Sequence, residues 1–185
     1  MQLAPQQSKT EKPEMTEIVN PVQSRDDPGA LSSITGIVAI IFAVAAAAAL
    51  GGLFTPGTWY RALEKPAWTP PDWIFGPVWT FLYLSMVIAG GLLWLARNDP
   101  DRPARFALTL FGIQLCLNAL WSPLFFGLHW MGVAALGIIL LAATLAVCCL
   151  VFWIVNRAAS ILFWPYLLWV SFAAVLNVTL FAINR

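Results

Sequence analysis

The sequence is short of charge. Only 10% of its 185 residues are Asp, Glu, Lys or Arg, where a soluble domain carries roughly 25%. The formal net charge is +1, which leaves no electrostatic basis for binding nucleic acid. Histidine occurs once, as His129. With no second histidine, no carboxylate pair inside an apolar stretch and no serine beside a base in a readable motif, the chain holds no ordinary catalytic set. Cysteine occurs three times, as Cys116, Cys148 and Cys149. All three lie in apolar stretches without a C-x-x-C spacing, so they read as small packing residues, not zinc or redox ligands. The apolar runs carry no internal charge and no apparent repeat, which removes the usual marks of ion pathways and repeat-built transporters.

What is present is apolar and aromatic. Hydrophobic residues make up 60% of the chain and the mean hydropathy is +0.77. A bilayer core of about 30 Å takes roughly 20 apolar residues per helix. Five stretches meet that length: 31–54, 75–95, 105–126, 130–155 and 161–183. The expectation is an all-α integral membrane protein, a five-transmembrane-helix bundle over residues 31–185 with one long ordered loop between its first two helices. Residues 1–30, with Pro5, Pro13, Pro21, Pro28 and several acids, cannot bury a core and are expected to form a disordered tail. They also lack the basic start and apolar segment of a secretory leader. The turns at 98–101, 127–129 and 156–157 are short, so successive helices are expected to pack as antiparallel neighbours. Arg25, Arg97, Arg102, Arg105 and Arg157 fall on the N-terminal side, against Arg61, Lys65 and Arg185 on the other. That balance predicts a cytoplasmic N-terminus with the long loop outside.

The long loop, 55–74, carries Trp59, Tyr60, Trp68 and Trp73 among Pro56, Pro66, Pro70 and Pro71. Prolines fix φ near −65° and remove N–H donors, so the segment is stiff and not helical throughout. It reads either as a lid over the helix ends or as an interfacial aromatic belt; its prolines and its length favour the lid. Three helices also carry stripes at helical spacing. These are Trp79 and Tyr83 on the second, Gln114, Asn118 and Trp121 on the third, and Trp169, Ala173 and Asn177 on the fifth. An amide in lipid needs a partner, so the stripes should face inward, either as helix–helix glue or as the wall of a pocket for a large, flat, mostly apolar ligand. Pro123 should break the backbone ladder near the end of the third helix, and Pro165 is expected near the start of the fifth, where it costs little.

The run Trp59-Tyr60-x-x-Leu63-x-Lys65-Pro66-x-Trp68-x-Pro70-Pro71-x-Trp73, followed by Trp79 and Leu82-Tyr83, resembles the first signature of the tryptophan-rich sensory protein and translocator protein family. Asn118-x-x-Trp121-x-Pro123-x-Phe125-Phe126-Gly127 resembles the second, and Pro165-Tyr166-Leu167-x-Trp169, with Ala173 and Leu176-Asn177, the third. The resemblance spans about residues 33–184. It implies a five-helix bundle, commonly a homodimer, whose loop-capped pocket accepts porphyrins such as protoporphyrin as ligand, with no cofactor required. By position that pocket would include Tyr60, Trp68, Pro70, Trp79, Tyr83, Gln114, Asn118, Trp121, Trp169 and Ala173.

Arg61 and Lys65 are the only cations of the loop. They are candidate contacts for a porphyrin's propionates, with snorkelling to the membrane surface as the alternative and Glu64 and Asp72 nearby as competing partners. His129 reads as structural, not as a haem ligand. The family's sterol motif is broken here, because Val178 and Thr179 stand where a tyrosine and its successor would, so sterol binding is not expected. The brevity of the other loops points to a prokaryotic member in a bacterial cell membrane. The resemblance implies a porphyrin receptor or sensor acting in tetrapyrrole regulation or stress response. Its alternatives are light-dependent porphyrin degradation, and transport of tetrapyrroles or lipids.

Overall fold

The computed structural model describes residues 28–185; the tail expected over 1–27 lies outside the described residues. Five long helices have the length and composition to cross a bilayer. They are α1 (Pro28–Leu53), α3 (Phe75–Leu95), α4 (Ala104–Ser122), α5 (Met131–Val155) and α6 (Arg157–Ile183), with a short α2 (Thr58–Ala62) in the long loop. No strand occurs among the described residues. The hydroxyls inside the spans solve their solvation problem locally. Thr35, Thr80, Ser85, Thr109, Thr144 and Thr179 each donate to the carbonyl four residues back, so no hydroxyl of that set meets lipid unpaired.

Two helix ends differ from expectation for physical reasons. The fifth span starts at Arg157, four residues early, because Asn156 caps it: the Asn156 side chain accepts from the Ala159 N–H at 3.1 Å. Pro165 therefore lies inside α6. The end of α4 loosens at Pro123 into a π-helical turn, Pro123–Gly127, in which the Leu128 N–H donates to the Pro123 carbonyl at 2.8 Å.

Of the three short turns, those between α4 and α5 and between α5 and α6 join packed neighbours as expected, and the one between α3 and α4 is the exception. The helices form a ring in the order α1, α3, α6, α5, α4, and back to α1, with α5 and α6 as the most extensive pair. α3 and α4 share a short turn yet touch less than α3 and α6 do. The correction has a cause at the arginine-bearing end. Arg102 donates from Nη1 to the Val155 carbonyl at 2.7 Å, and so draws the α3–α4 turn toward α5. The Arg97 guanidinium stacks on Trp94 at 4.4 Å and donates to Ser32 Oγ at 3.1 Å, which holds α3 against α1. At that end the packing is solid. Gly36 admits the Trp94 indole so closely that a Cβ there would sit 1.8 Å from Cε2. Phe111, Phe152, Phe163, Leu93 and Cys148 fill the interior.

Candidate functional site

The opposite end of the bundle is hollow. A cavity of about 520 Å³ opens between the ends of α1, α3, α4 and α6, with Ile138 and Leu141 of α5 also in its wall. Its α1 wall is made of small residues, Ala48, Gly51 and Gly52. A Cβ on Gly51 would come within 3.5 Å of the Tyr83 hydroxyl, so the missing side chain is part of the space. The opposite walls are flat rings: Trp79 and Tyr83 on α3, Trp121 and Phe126 from α4 and its π-turn, and Trp169 on α6. A volume in the range of small-molecule sites, apolar walls and a few polar groups are the features of a ligand pocket.

The polar groups on the walls are mostly tied to one another. Tyr83 Oη donates to Asn118 Oδ1 at 3.1 Å, and Asn118 Nδ2 donates to Tyr166 Oη at 2.8 Å. One amide thus joins α3, α4 and α6. Trp121 Nε1 donates to Asn177 Oδ1 at 3.1 Å, and Asn177 Nδ2 donates to the Met131 carbonyl at 3.2 Å, which joins α4, α6 and α5. The amides act as interhelical glue, and by doing so they fix the orientation of the rings that face the cavity. Trp121 is further held by stacking on Phe125, centroids 5.2 Å apart at 15°.

Residues 54–74 fold over this end. Tyr60 of α2 is buried edge-on against Phe125 and Phe126 at 6.2 and 5.4 Å. Trp59 stacks on His129 at 4.1 Å, and His129 holds the turn before α5 at φ 58°, so the single histidine is structural. Farther along, Glu64 and Asn184 form a reciprocal clamp: the Glu64 N–H donates to Asn184 Oδ1, and Asn184 Nδ2 donates to the Glu64 carbonyl, each at 3.0 Å. Trp68 then meets Phe172 edge-on at 5.9 Å. The Tyr60 hydroxyl is held above its ordinary ionisation range, chiefly by burial and secondly by the negative charge of Asp72.

Of the residues singled out from the sequence, Tyr60, Trp79, Tyr83, Asn118, Trp121, Trp169 and Ala173 line the one cavity. Trp68, Pro70 and Gln114 do not. Trp68 is 47% exposed on the outer side of the loop, and Gln114 is fully buried one helical turn from Asn118, its amide without a protein partner. Arg61 and Lys65 also stay off the cavity wall. Lys65 Nζ donates to the carbonyls of Arg61 and Leu63 at 3.3 and 3.4 Å and sits 4.7 Å over the Tyr60 ring, so its charge serves the loop's own backbone. Neither cation pairs with Glu64 or Asp72: among the described residues the sole ion pair is Arg102–Asp99. Trp73, one of the four aromatics of the loop read as lid or belt, is 73% exposed. It stands at the start of α3, where an indole suits the membrane–water boundary, so lid and belt coexist in one loop. Cys148 and Cys149 pack in the core as expected, whereas Cys116 is exposed on the outer face of α4.

Sequence reasoning passed over several residues of the site. Tyr166, which is not on the wall but accepts from Asn118 Nδ2 behind it, was visible in the third motif, three residues before Trp169. Phe126 lay in the second motif. Gly51, Gly52 and Asp72 carried no periodic signal.

Residues 38–183 match the family model described as the TspO/MBR family. The chain is 37% identical to protein CrtK of Rhodobacter capsulatus over 153 residues, 82% of this chain and 94% of that protein. It is 41% identical to the tryptophan-rich protein TspO of Chlorobaculum tepidum over 137 residues, 72% and 86% of the two chains. It is 36% identical to the translocator protein of Bos taurus over 139 residues, 74% and 82%. Five spans, the roofed aromatic cavity and these matches agree: the chain is a multi-pass membrane protein and belongs to the TspO/MBR family.

Proposed function

We propose that the protein is a membrane receptor for porphyrins and related flat tetrapyrroles, which it holds in the cavity under the 54–74 loop. The observation that carries this reading is the set of aromatic walls. Trp79, Tyr83, Trp121, Phe126 and Trp169 from three helices and the π-turn enclose one space of about 520 Å³. Ring faces bury a macrocycle's apolar surface and add stacking of about 0.5–1.5 kcal/mol per aromatic. No histidine lines the cavity, so retention rests on stacking and shape rather than on axial histidine ligation. Sensing in a bacterial cell membrane, through occupancy of the pocket, is the role this chemistry suits. The test is a titration of purified protein in lipid nanodiscs with protoporphyrin in darkness. Saturable quenching of tryptophan fluorescence is expected, and a linear, non-saturating response would overturn the reading. The same titration under illumination separates a receptor, which returns the pigment intact, from an enzyme that turns it over to a new product.

A further inference from the structure

The cavity wall holds one ionisable carboxylate, Asp72, and no cation. Asp72 starts the 3-10 turn Asp72–Ile74 that leads into α3, beside Phe75 and Gly76 of the same wall. Among the described residues it forms no ion pair. The loop's own ammonium group, Lys65 Nζ, is occupied by two carbonyls and the Tyr60 ring instead. The Asp72 charge nevertheless reaches the pocket's roof, because it acts on the buried Tyr60 hydroxyl. The cavity wall therefore joins a carboxylate without an ion pair to several indole and phenol faces, whose quadrupoles also favour positive charge.

We propose that Asp72 sets the charge preference of this pocket, which selects flat aromatic or macrocyclic ligands bearing a cationic or hydrogen-bond-donating group beside Asp72 and disfavours those bearing free carboxylates there. This rests on the reading of the cavity as a site for flat rings and adds the sign of the ligand's polar end. A carboxylate of the ligand placed beside Asp72 would be repelled by it and would find no cation on the wall, whereas an ammonium group gains both the Asp72 charge and a ring face. The preference is opposite in sign to one set by Arg61 and Lys65.

Three protoporphyrins of one ring and different arms test it: the free diacid, the neutral dimethyl ester, and the diamide carrying two trimethylammonium arms. Each is titrated in darkness into the full chain in phosphatidylcholine nanodiscs, whose net charge is zero. The expected order of affinity is dication, ester, diacid. Asp72→Asn should weaken the dication by roughly fivefold and strengthen the diacid to a similar degree, while leaving the ester within about twofold, as one partly solvated charge would. Asp72→Glu should keep the native order, and raising the salt should shrink the spread. If the ester does not bind saturably, the pocket reading itself fails and the inference falls with it. If the ester binds but the three ligands respond alike to Asp72→Asn, the pocket stands and the charge assignment is overturned. A native protein that binds the diacid tightest would overturn it as well.

Discussion

The two ends of this bundle are made from the same residue types and do opposite things with them. At the arginine-bearing end, Gly36 and Gly90 let Trp94 and Phe111 close the interior, and Phe111, Phe152 and Phe163 pack ring against ring. At the loop-covered end, Gly51 and Gly52 leave room and Trp79, Tyr83, Trp121 and Trp169 stand around it. A glycine facing a large side chain makes a contact; a glycine facing a glycine's worth of space makes a cavity. The difference also shows in how the rings are held. Phe111, Phe152 and Phe163 at the solid end are held by packing, and Trp94 by the Arg97 guanidinium as well, while Tyr83 and Trp121 at the hollow end are hydrogen-bonded to Asn118 and Asn177. The hydrogen bonds replace the contacts that the empty space removes, and so keep the walls preorganised.

The comparison breaks most sharply at Phe163, which is fully buried between Phe111, Phe152 and Tyr166. Phe163→Ala is expected to cost about 3–5 kcal/mol through the cavity it opens. Thermal unfolding in detergent should show a large fall in Tm. An unchanged Tm would mean that the solid end is not what holds the bundle together.

Trp79→Ala should act on the other quantity. Trp79 is half-buried, beside Tyr83 and Tyr166 at 5.5 and 6.2 Å, and its face lines empty space. Affinity for the protoporphyrin dimethyl ester should fall by about three- to tenfold, from lost stacking and area, with a smaller drop in Tm than Phe163→Ala gives. Trp121→Phe offers a finer cut: it keeps a ring but removes the donor to Asn177, and should loosen the wall without emptying it. Equal affinities in both variants and the native chain would remove these residues from the binding surface.

A weaker effect is expected at the roof. Asn184→Ala deletes both bonds of the clamp to Glu64, each worth about 1 kcal/mol net. The bundle does not depend on them, so global stability should change little. Amide hydrogen exchange in residues 60–70 should rise, and ligand release should quicken. Protection that stays at the native level would place the loop's anchor at Trp59 and Trp68 instead.

The smallest effect is a pH dependence. The Tyr60 hydroxyl is raised above its ordinary value of 10.0, first by burial and then by Asp72. An acid whose folded value is raised keeps its proton longer in the native state than in the unfolded one, so stability from this group is complete below about pH 10 and declines as pH climbs through the folded value. Tm should be level from pH 7 to 9 and fall above 10. Tyr60→Phe should flatten part of that fall, and an identical alkaline profile in the variant would assign the decline elsewhere.

Much of this was legible in the residues. The lengths of the spans followed from bilayer thickness, and the motifs around Trp59, Trp121 and Trp169 announced the family. The inward stripes followed from the rule that an amide in lipid needs a partner, and Asn118 and Asn177 obey it. Other features were out of reach for reasons that can be named. The start of α6 depended on Asn156 acting as a cap, a choice between local hydrogen bonds. Trp68 and Trp73 could not be sorted from sequence, because an indole satisfies lid and interface alike. The place of Lys65 could not be read either, because a flexible ammonium takes the nearest carbonyls.

By itself the sequence determined that this chain crosses a membrane five times, that residues 55–74 are too stiff and too aromatic for a plain connector, and which side of α3, α4 and α6 turns inward. Those properties belong to single segments: transfer free energy, proline's fixed φ and helical periodicity. The tertiary structure alone decided that α3 lies beside α6 more than beside α4, that Gly51 faces space while Gly36 faces Trp94, and that Asp72 reaches the cavity when Arg61 and Lys65 do not. Periodicity tells a helix which of its faces to bury, but which neighbour that face meets, and how much room is left between them, is set by side chains on other helices.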